Sequence, residues 1–462
     1  MVNNRRRFIK NSLAVSIGFW GLQSCINATK INTNSSVKNF YGPLLDDPNG
    51  ILKLPKDFSY TIISKVGEKM SDGLFTPGKP DGMATFVNAD NKVVIVRNHE
   101  ISFGDTANSA FGQNNELLSK VDKSNFYDFG NGNYPGLGGT TTLLYNTATK
   151  KIEQSYMSLV GTIRNCAGGP TPWNTWLTCE EDVSIANNTI EKNHGYVFEV
   201  PSVTDGKVAA PLPIKEMGRF NHEAVAIDPN TGIVYLTEDR SDGLFYRYLP
   251  KNAKNLHKGG QLQILKFIDQ DAADTRNWNS FGKQNIETGK PYKVSWVNID
   301  DVDAPEDDLR YRGYHTQKAA VFARGEGIWY GNKGVYFACT NGGSAKVGQI
   351  FKYEPSPNEG QNTEKDNPAT ITLFVEPNDS SIMNNADNLT IAPWGDVITA
   401  EDTEHPFLVG IRPNGELYKL AENIGYASEF AGVCFSPDGN TLFVNIQHAG
   451  LTIAINGPWK NA

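Results

Sequence analysis

Helical periodicity is missing from this 462-residue sequence: no long segment repeats apolar residues at three-to-four spacing. With 44 Gly, 24 Pro and 11% aromatic residues, the composition favours many short strands joined by tight turns. A basic excess is missing as well. Lys and Arg number 43 against 51 Asp and Glu, for a net charge of −8, so no cationic stripe can follow a phosphate backbone and no nucleic-acid partner is expected. Cysteine is scarce, and none of the five (Cys25, Cys166, Cys179, Cys339, Cys434) forms a Cys-x-x-Cys pair. Four cysteines in an oxidising compartment default to one or two disulfides, and Cys166–Cys179 across one hairpin is an open pairing. A bilayer-spanning run is also missing from the N-terminus, because the apolar stretch from Ser12 to Leu22 is too short to cross stably.

That short stretch follows Arg5-Arg6-Arg7-Phe8-Ile9-Lys10, which resembles the bacterial twin-arginine export signal; an ordinary secretory signal is the plainer alternative. Leu22-Gln23-Ser24-Cys25 looks like a lipoprotein processing site, which makes Cys25 a candidate lipid anchor. Residues 1–25 are read as the signal and 26–462 as a single domain, placed in the periplasm or on the outer surface and expected to be monomeric.

What the sequence does contain is a repeated hairpin. An acidic residue or Cys opens a short apolar strand, a turn follows, and a second strand ends in polar or acidic residues. Asp387 to Asp402 and Cys166 to Glu181 match position for position, with Pro393-Trp394 and Pro172-Trp173 at the turns. Glu223 to Asp239, Glu326 to Asn341, Asp81 to Glu100 and Glu429 to Asn445 are further copies. Such spacing predicts an all-β, six-bladed propeller with inserted loops and short helices; a double β-sandwich is the structural rival.

In a hairpin the first residue and the last lie at one edge. The copies therefore predict a ring of Asp81, Cys166, Glu223, Glu326, Asp387 and Glu429 around one mouth of the channel, backed by Glu100, Glu180, Glu181, Glu238, Asp239, Glu401 and Asp402. So many carboxylates cannot face one another unpaired, and bound cations resolve the repulsion. Oxygen-rich sites suit Ca²⁺. The Cys166 sulfur adds a transition metal, iron or zinc. Strand alternation turns Cys179 away from the channel, and Cys339 and Cys434 read as core. His99 and His222 stand beside ring carboxylates as general acids or as hydrogen-bonded supports.

Asn165-Cys166, Pro172-Trp173, Thr178-Cys179-Glu180-Glu181, Arg219-Phe220-Asn221-His222-Glu223, Arg324-Gly325-Glu326, Asp387-Asn388-Leu389 and Phe435-Ser436-Pro437-Asp438-Gly439 together resemble the PhoX family of alkaline phosphatases. The resemblance implies hydrolysis of small phosphate esters by a propeller holding Fe³⁺ and Ca²⁺ at its channel mouth. By motif, Cys166, Glu223, Glu326 and Asp387 would bind iron, with Cys166 bridging, and Arg324 would reach the substrate phosphate. Longer members carry Arg-Pro-Glu where this chain has Arg324-Gly325-Glu326, and Gly325 leaves the backbone beside Arg324 less rigid. Two other functions fit the repeat without the resemblance: a calcium-dependent propeller lactonase or esterase, and a non-enzymatic calcium-stabilised binding propeller. Neither accounts for a thiol in the ring.

Overall fold

The computed structural model describes residues 40–89, 91–279 and 286–459. The export signal and Cys25 lie outside the described residues. Strands dominate, and among the described residues the α-helix Leu309–His315 is the longest helical element and no helix is long and apolar enough to cross a membrane.

Turn chemistry makes the hairpins. Asp228 accepts the Asn230 N–H and the Thr231 hydroxyl at the Pro229–Gly232 reversal, and Asp438 accepts the Asn440 N–H at the Pro437–Asn440 reversal. Gly232, Gly395 and Gly439 supply the positive φ of 73°, 95° and 72° that these reversals need.

Hydrogen bonding gathers the described strands into five antiparallel sheets. One runs Pro80–Val87, Lys92–His99, Gly138–Asn146 and Lys151–Thr162 in chain order, and a second runs Asn165–Pro170, Thr175–Glu180 and Val197–Pro201. The largest has nine strands, with the His222–Ile227 and Gly325–Gly331 hairpins at its two ends. A fourth starts from Ala386–Ile391. The last starts from Phe430–Phe435 and takes Ser59–Lys65, from the other end of the chain, as its outermost strand.

The hairpin-leading strands Pro80–Val87, Asn165–Pro170, His222–Ile227, Gly325–Gly331, Ala386–Ile391 and Phe430–Phe435 contact one another in that order, and the last returns to the first. A closed ring of inner strands with sheets radiating outward is a propeller-like arrangement and not a sandwich. The core lies between neighbouring sheets, as where Tyr145 of the first sheet meets Phe443 of the last edge-on at 5.3 Å. Gly82, Ala167, Ala224, Gly327 and Gly432 line the central channel and let the inner strands approach until a cavity of only 20 Å³ remains, room for about one water. Substrate chemistry is therefore confined to the ends of the ring.

Candidate active site at the channel mouth

The leading strands share one irregularity. Each slips register over its first residues, at Pro80/Met83, Asn165/Gly168, His222/Val225, Gly325/Ile328, Ala386/Leu389 and Ala431/Cys434. Such bulges bend a strand and re-aim side chains. The unpaired residues include Asp81, Cys166, Glu223, Glu326 and Asp387. In the last copy the bulge holds Gly432 instead, at φ 63°, where a Cβ would lie 2.2 Å from the Asp81 carbonyl oxygen. Glu429 therefore does not occupy the ring position expected from its sequence.

Its true place comes from a second repeat, a backbone hydrogen bond closing each hairpin. The N–H groups of Glu100, Glu181, Asp239, Thr340, Asp402 and Gln447 donate to the carbonyls of Lys79, Arg164, Asn221, Arg324, Asn385 and Glu429. Glu429 thus belongs to an outer rim that also carries Arg164 and Arg324.

Side chains from ring, rim and trailing positions meet in three overlapping groups. In each, one potential ligand atom per residue lies within 4.8 Å of the others: Cys166, Glu181 and Glu223; Glu223, Glu326 and Asp387; Asp387, Asp402 and Glu429. Glu223 and Asp387 link the three. Burial, reinforced by Glu326 and Asp387, pushes the Glu223 carboxyl well above the usual range. Burial and Asp239 do the same to Glu326. Asp387 is raised to about 7 by burial and Asp402, and Glu429 to about 11 by burial and Asp387. Glu181 rises to about 8, as burial and the carboxylates of Asp239 and Glu100 outweigh Arg164. Burial, Glu223 and Glu181 hold the Cys166 thiol protonated, well above its ordinary value. This is a site short of positive charge.

The chain supplies two arginines. Arg324 donates from Nε and Nη2 to Asp239 at 2.7 and 2.9 Å, and from Nη2 to Glu326 at 2.9 Å. Those bonds fix the guanidinium despite the neighbouring Gly325. Asp81 and Glu100 are bridged by Gln447, whose Nε2 donates to both, at 2.7 and 2.9 Å.

The sequence profile described as alkaline phosphatase PhoX matches residues 39–450. The chain belongs to the PhoX family. It is accordingly an alkaline phosphatase by family. Among solved structures, it is similar to Pseudomonas fluorescens PhoX in complex with vanadate, a transition-state analogue, at 16% identity and a TM-score of 0.65, covering 90% of this chain and 97% of that one. A gluconolactonase from Xanthomonas campestris aligns at 12% identity and a TM-score of 0.40, covering 90% of this chain and 98% of that one. No curated protein matches the sequence.

Within this PhoX-family site, several expected residues turn elsewhere. Glu180, Glu238 and Glu401 end their strands and point away from the mouth, because alternation sends the next residue inward. Glu180 accepts N–H groups from Ile163 and Gly195, Glu238 from Leu244, and Glu401 from Asn384 and Phe407, so each clamps backbone. Asp81 and Glu100 lie beside the three groups without joining them. His99 is buried, donating to Gly78 and accepting from Thr141; burial and Arg97 push its imidazole well below the ordinary value. His222 stacks on Phe220 at 3.6 Å, donates to Gly218, and is lowered to about 3 by burial. Neither is a general acid; both hold the backbone that leads into the ring. Cys166 and Cys179 are both free, so the hairpin disulfide is not formed, and Cys179 packs in the core.

Two residues were missed. Arg164 stands two before Cys166 as Arg324 stands two before Glu326, a spacing that carried the signal. Gln447 lies two residues beyond Asn445, where the hairpin pattern ends the sixth copy.

Proposed function

We propose that this PhoX-family phosphatase hydrolyses phosphate esters at an iron and calcium cluster in the mouth of a six-bladed propeller. The reading is carried by one observation: buried carboxylates and a thiol converge in three linked groups, with two arginines above them. Support for six blades comes from the closed ring of leading strands, the nine-stranded sheet being two blades joined through Pro291–Asn298 and Thr370–Val375.

The donor set fits the metals. Cys166, Glu181 and Glu223 combine sulfur and oxygen and suit ferric iron, with Glu223 shared by the Glu326 and Asp387 group. Asp387, Asp402 and Glu429 offer oxygen alone and suit calcium. When bound, the metals supply charge neutralisation for a phosphoryl transition state and a nucleophile active at neutral pH. The protein's own contribution is to fix the donors through the bulges, to close the channel beneath them and to orient the phosphate. Arg324 does the orienting, because its planar fork stays charged and remains partly exposed over its carboxylates.

The same reading makes the enzyme an exported one, carried by the twin-arginine signal in residues 1–25 to the periplasm or outer surface, with Cys25 as a lipid anchor. It acts as a monomer on phosphate-ester small molecules.

Elemental analysis of chelator-free protein, with its visible spectrum, tests the assignment. Iron, calcium and a thiolate-to-iron charge-transfer band are expected, and Cys166→Ser should remove the band, the iron and the phosphatase activity while most calcium stays. An iron-free, colourless protein that cleaves phosphate esters would overturn the metal assignment.

A further inference from the structure

We propose that Arg164 is a second phosphate-binding arm, acting together with Arg324 on the substrate bound at the mouth. The inference rests on the active-site reading above and extends it to a residue for which the motifs gave no role.

The two arginines are equivalent in the repeat. Each precedes its ring residue by two positions, and each accepts the hairpin-closing N–H, Arg164 from Glu181 and Arg324 from Thr340. Each also has left-handed backbone, φ 44° and 54°, a conformation that costs about 1 kcal/mol or more for a residue with a side chain.

Their guanidinium groups are used alike. Arg324 spends Nε and Nη2 on Asp239 and Glu326. Arg164 spends Nε on the Glu181 carbonyl at 3.1 Å and Nη2 on the Glu181 and Glu100 carboxylates, the latter at 2.8 Å. Among the described residues, Nη1 of each has no hydrogen-bond acceptor. The arginine side chains are 34% and 33% exposed, while their carboxylate partners are 15% or less, so the guanidinium groups form the outer layer of the site.

Their placement covers the linked groups. Arg164 pairs with Glu181 of the thiol-containing group and Arg324 with Glu326 of the adjoining one, and Glu223 belongs to both groups. Glu181 in turn lies close enough to Asp239, the anchor of Arg324, for the two carboxylates to repel. A phosphoryl group seated over Glu223 would meet an arginine from each side. Two permanently charged forks then share its non-bridging oxygens, a role that a structural ion pair does not require.

The test compares Arg164→Ala, Arg164→Lys and Arg324→Ala as metal-replete full-length enzymes. The readouts are the inhibition constant of inorganic phosphate, kcat and KM for p-nitrophenyl phosphate, and metal content. Arg164→Ala should weaken phosphate inhibition at least tenfold and lower kcat/KM on the order of 10²-fold, with metal content unchanged. Arg164→Lys keeps the charge and the carboxylate pairing but lacks the fork, and should recover only part of the loss. Wild-type phosphate inhibition in Arg164→Ala overturns the proposal. So does metal loss in Arg164→Ala that Arg164→Lys fully repairs, since that outcome makes Arg164 a structural clamp. Arg324→Ala separates the two readings. If it weakens phosphate inhibition and Arg164→Ala does not, only the second arm is lost. If neither variant does, the active-site reading fails with it.

Discussion

Two regions of this molecule bury carboxylates in quantity, and they treat the charge in opposite ways. At the outer side of the large sheet, Arg247 lies between Glu359 and Glu364, bonded at 2.5, 2.6 and 2.7 Å, with its guanidinium over the Trp296 ring. Glu359 also accepts the hydroxyls of Tyr353 and Tyr235 and the Ser356 N–H. The chain supplies every partner those acids need. At the mouth Glu223, Asp387 and Glu429 each stand within 4.8 Å of further acids, and the two arginines stand at the rim. A carboxylate serving the fold arrives with its cation, whereas one serving a ligand is left waiting for it.

The largest effect expected from this contrast is at the outer network. Arg247→Ala strands the buried Glu359 and the partly buried Glu364 and should destabilise the protein by about 3–5 kcal/mol in denaturant unfolding, with turnover per folded molecule unchanged. A change under 1 kcal/mol would mean that this network is not the self-sufficient one.

An intermediate case sharpens the contrast. His194 is buried between Glu180 at 2.6 Å and Asp128 at 3.3 Å, so here the chain's cation can titrate. Burial alone would lower the imidazole, but the two carboxylates outweigh it and hold it at about 9. A raised value means that the folded state favours the proton. The stabilisation is thus fully present below the ordinary imidazole value of 6.5 and is lost as pH rises through about 9. Unfolding free energies measured between pH 6 and 10 should show a loss of about 3 kcal/mol that His194→Gln abolishes. An identical pH slope in the variant would refute the pairing.

Much of this was legible in the sequence because turn chemistry and strand length are local. Pro393-Trp394-Gly395 and Pro229 to Gly232 mark their own reversals, so the hairpins and the leading residues Asp81, Cys166, Glu223, Glu326 and Asp387 could be read directly. Register was not legible. One extra residue before Gly432 moves Glu429 from ring to rim, and nothing short of the backbone bond from Gln447 to Glu429 reveals it. Adjacent acids were equally opaque: Glu180 and Glu181 look alike in sequence, yet alternation gives one to the backbone and the other to the mouth. His99 and His222 stay open between general acid and hydrogen-bonded support in the sequence, because proximity to an acid there says nothing of burial, and burial decides for support.

The central claim is that the mouth is built for charge the chain does not supply, and the melting temperature of Glu223→Gln tests it most directly. Glu223 links two of the three groups, so neutralising it removes repulsion when metal is absent and a ligand when metal is present. In exhaustively chelated protein the substitution should raise the melting temperature; after reloading with iron and calcium it should lower it and abolish phosphatase activity. A shift of the same sign in both states would contradict the account.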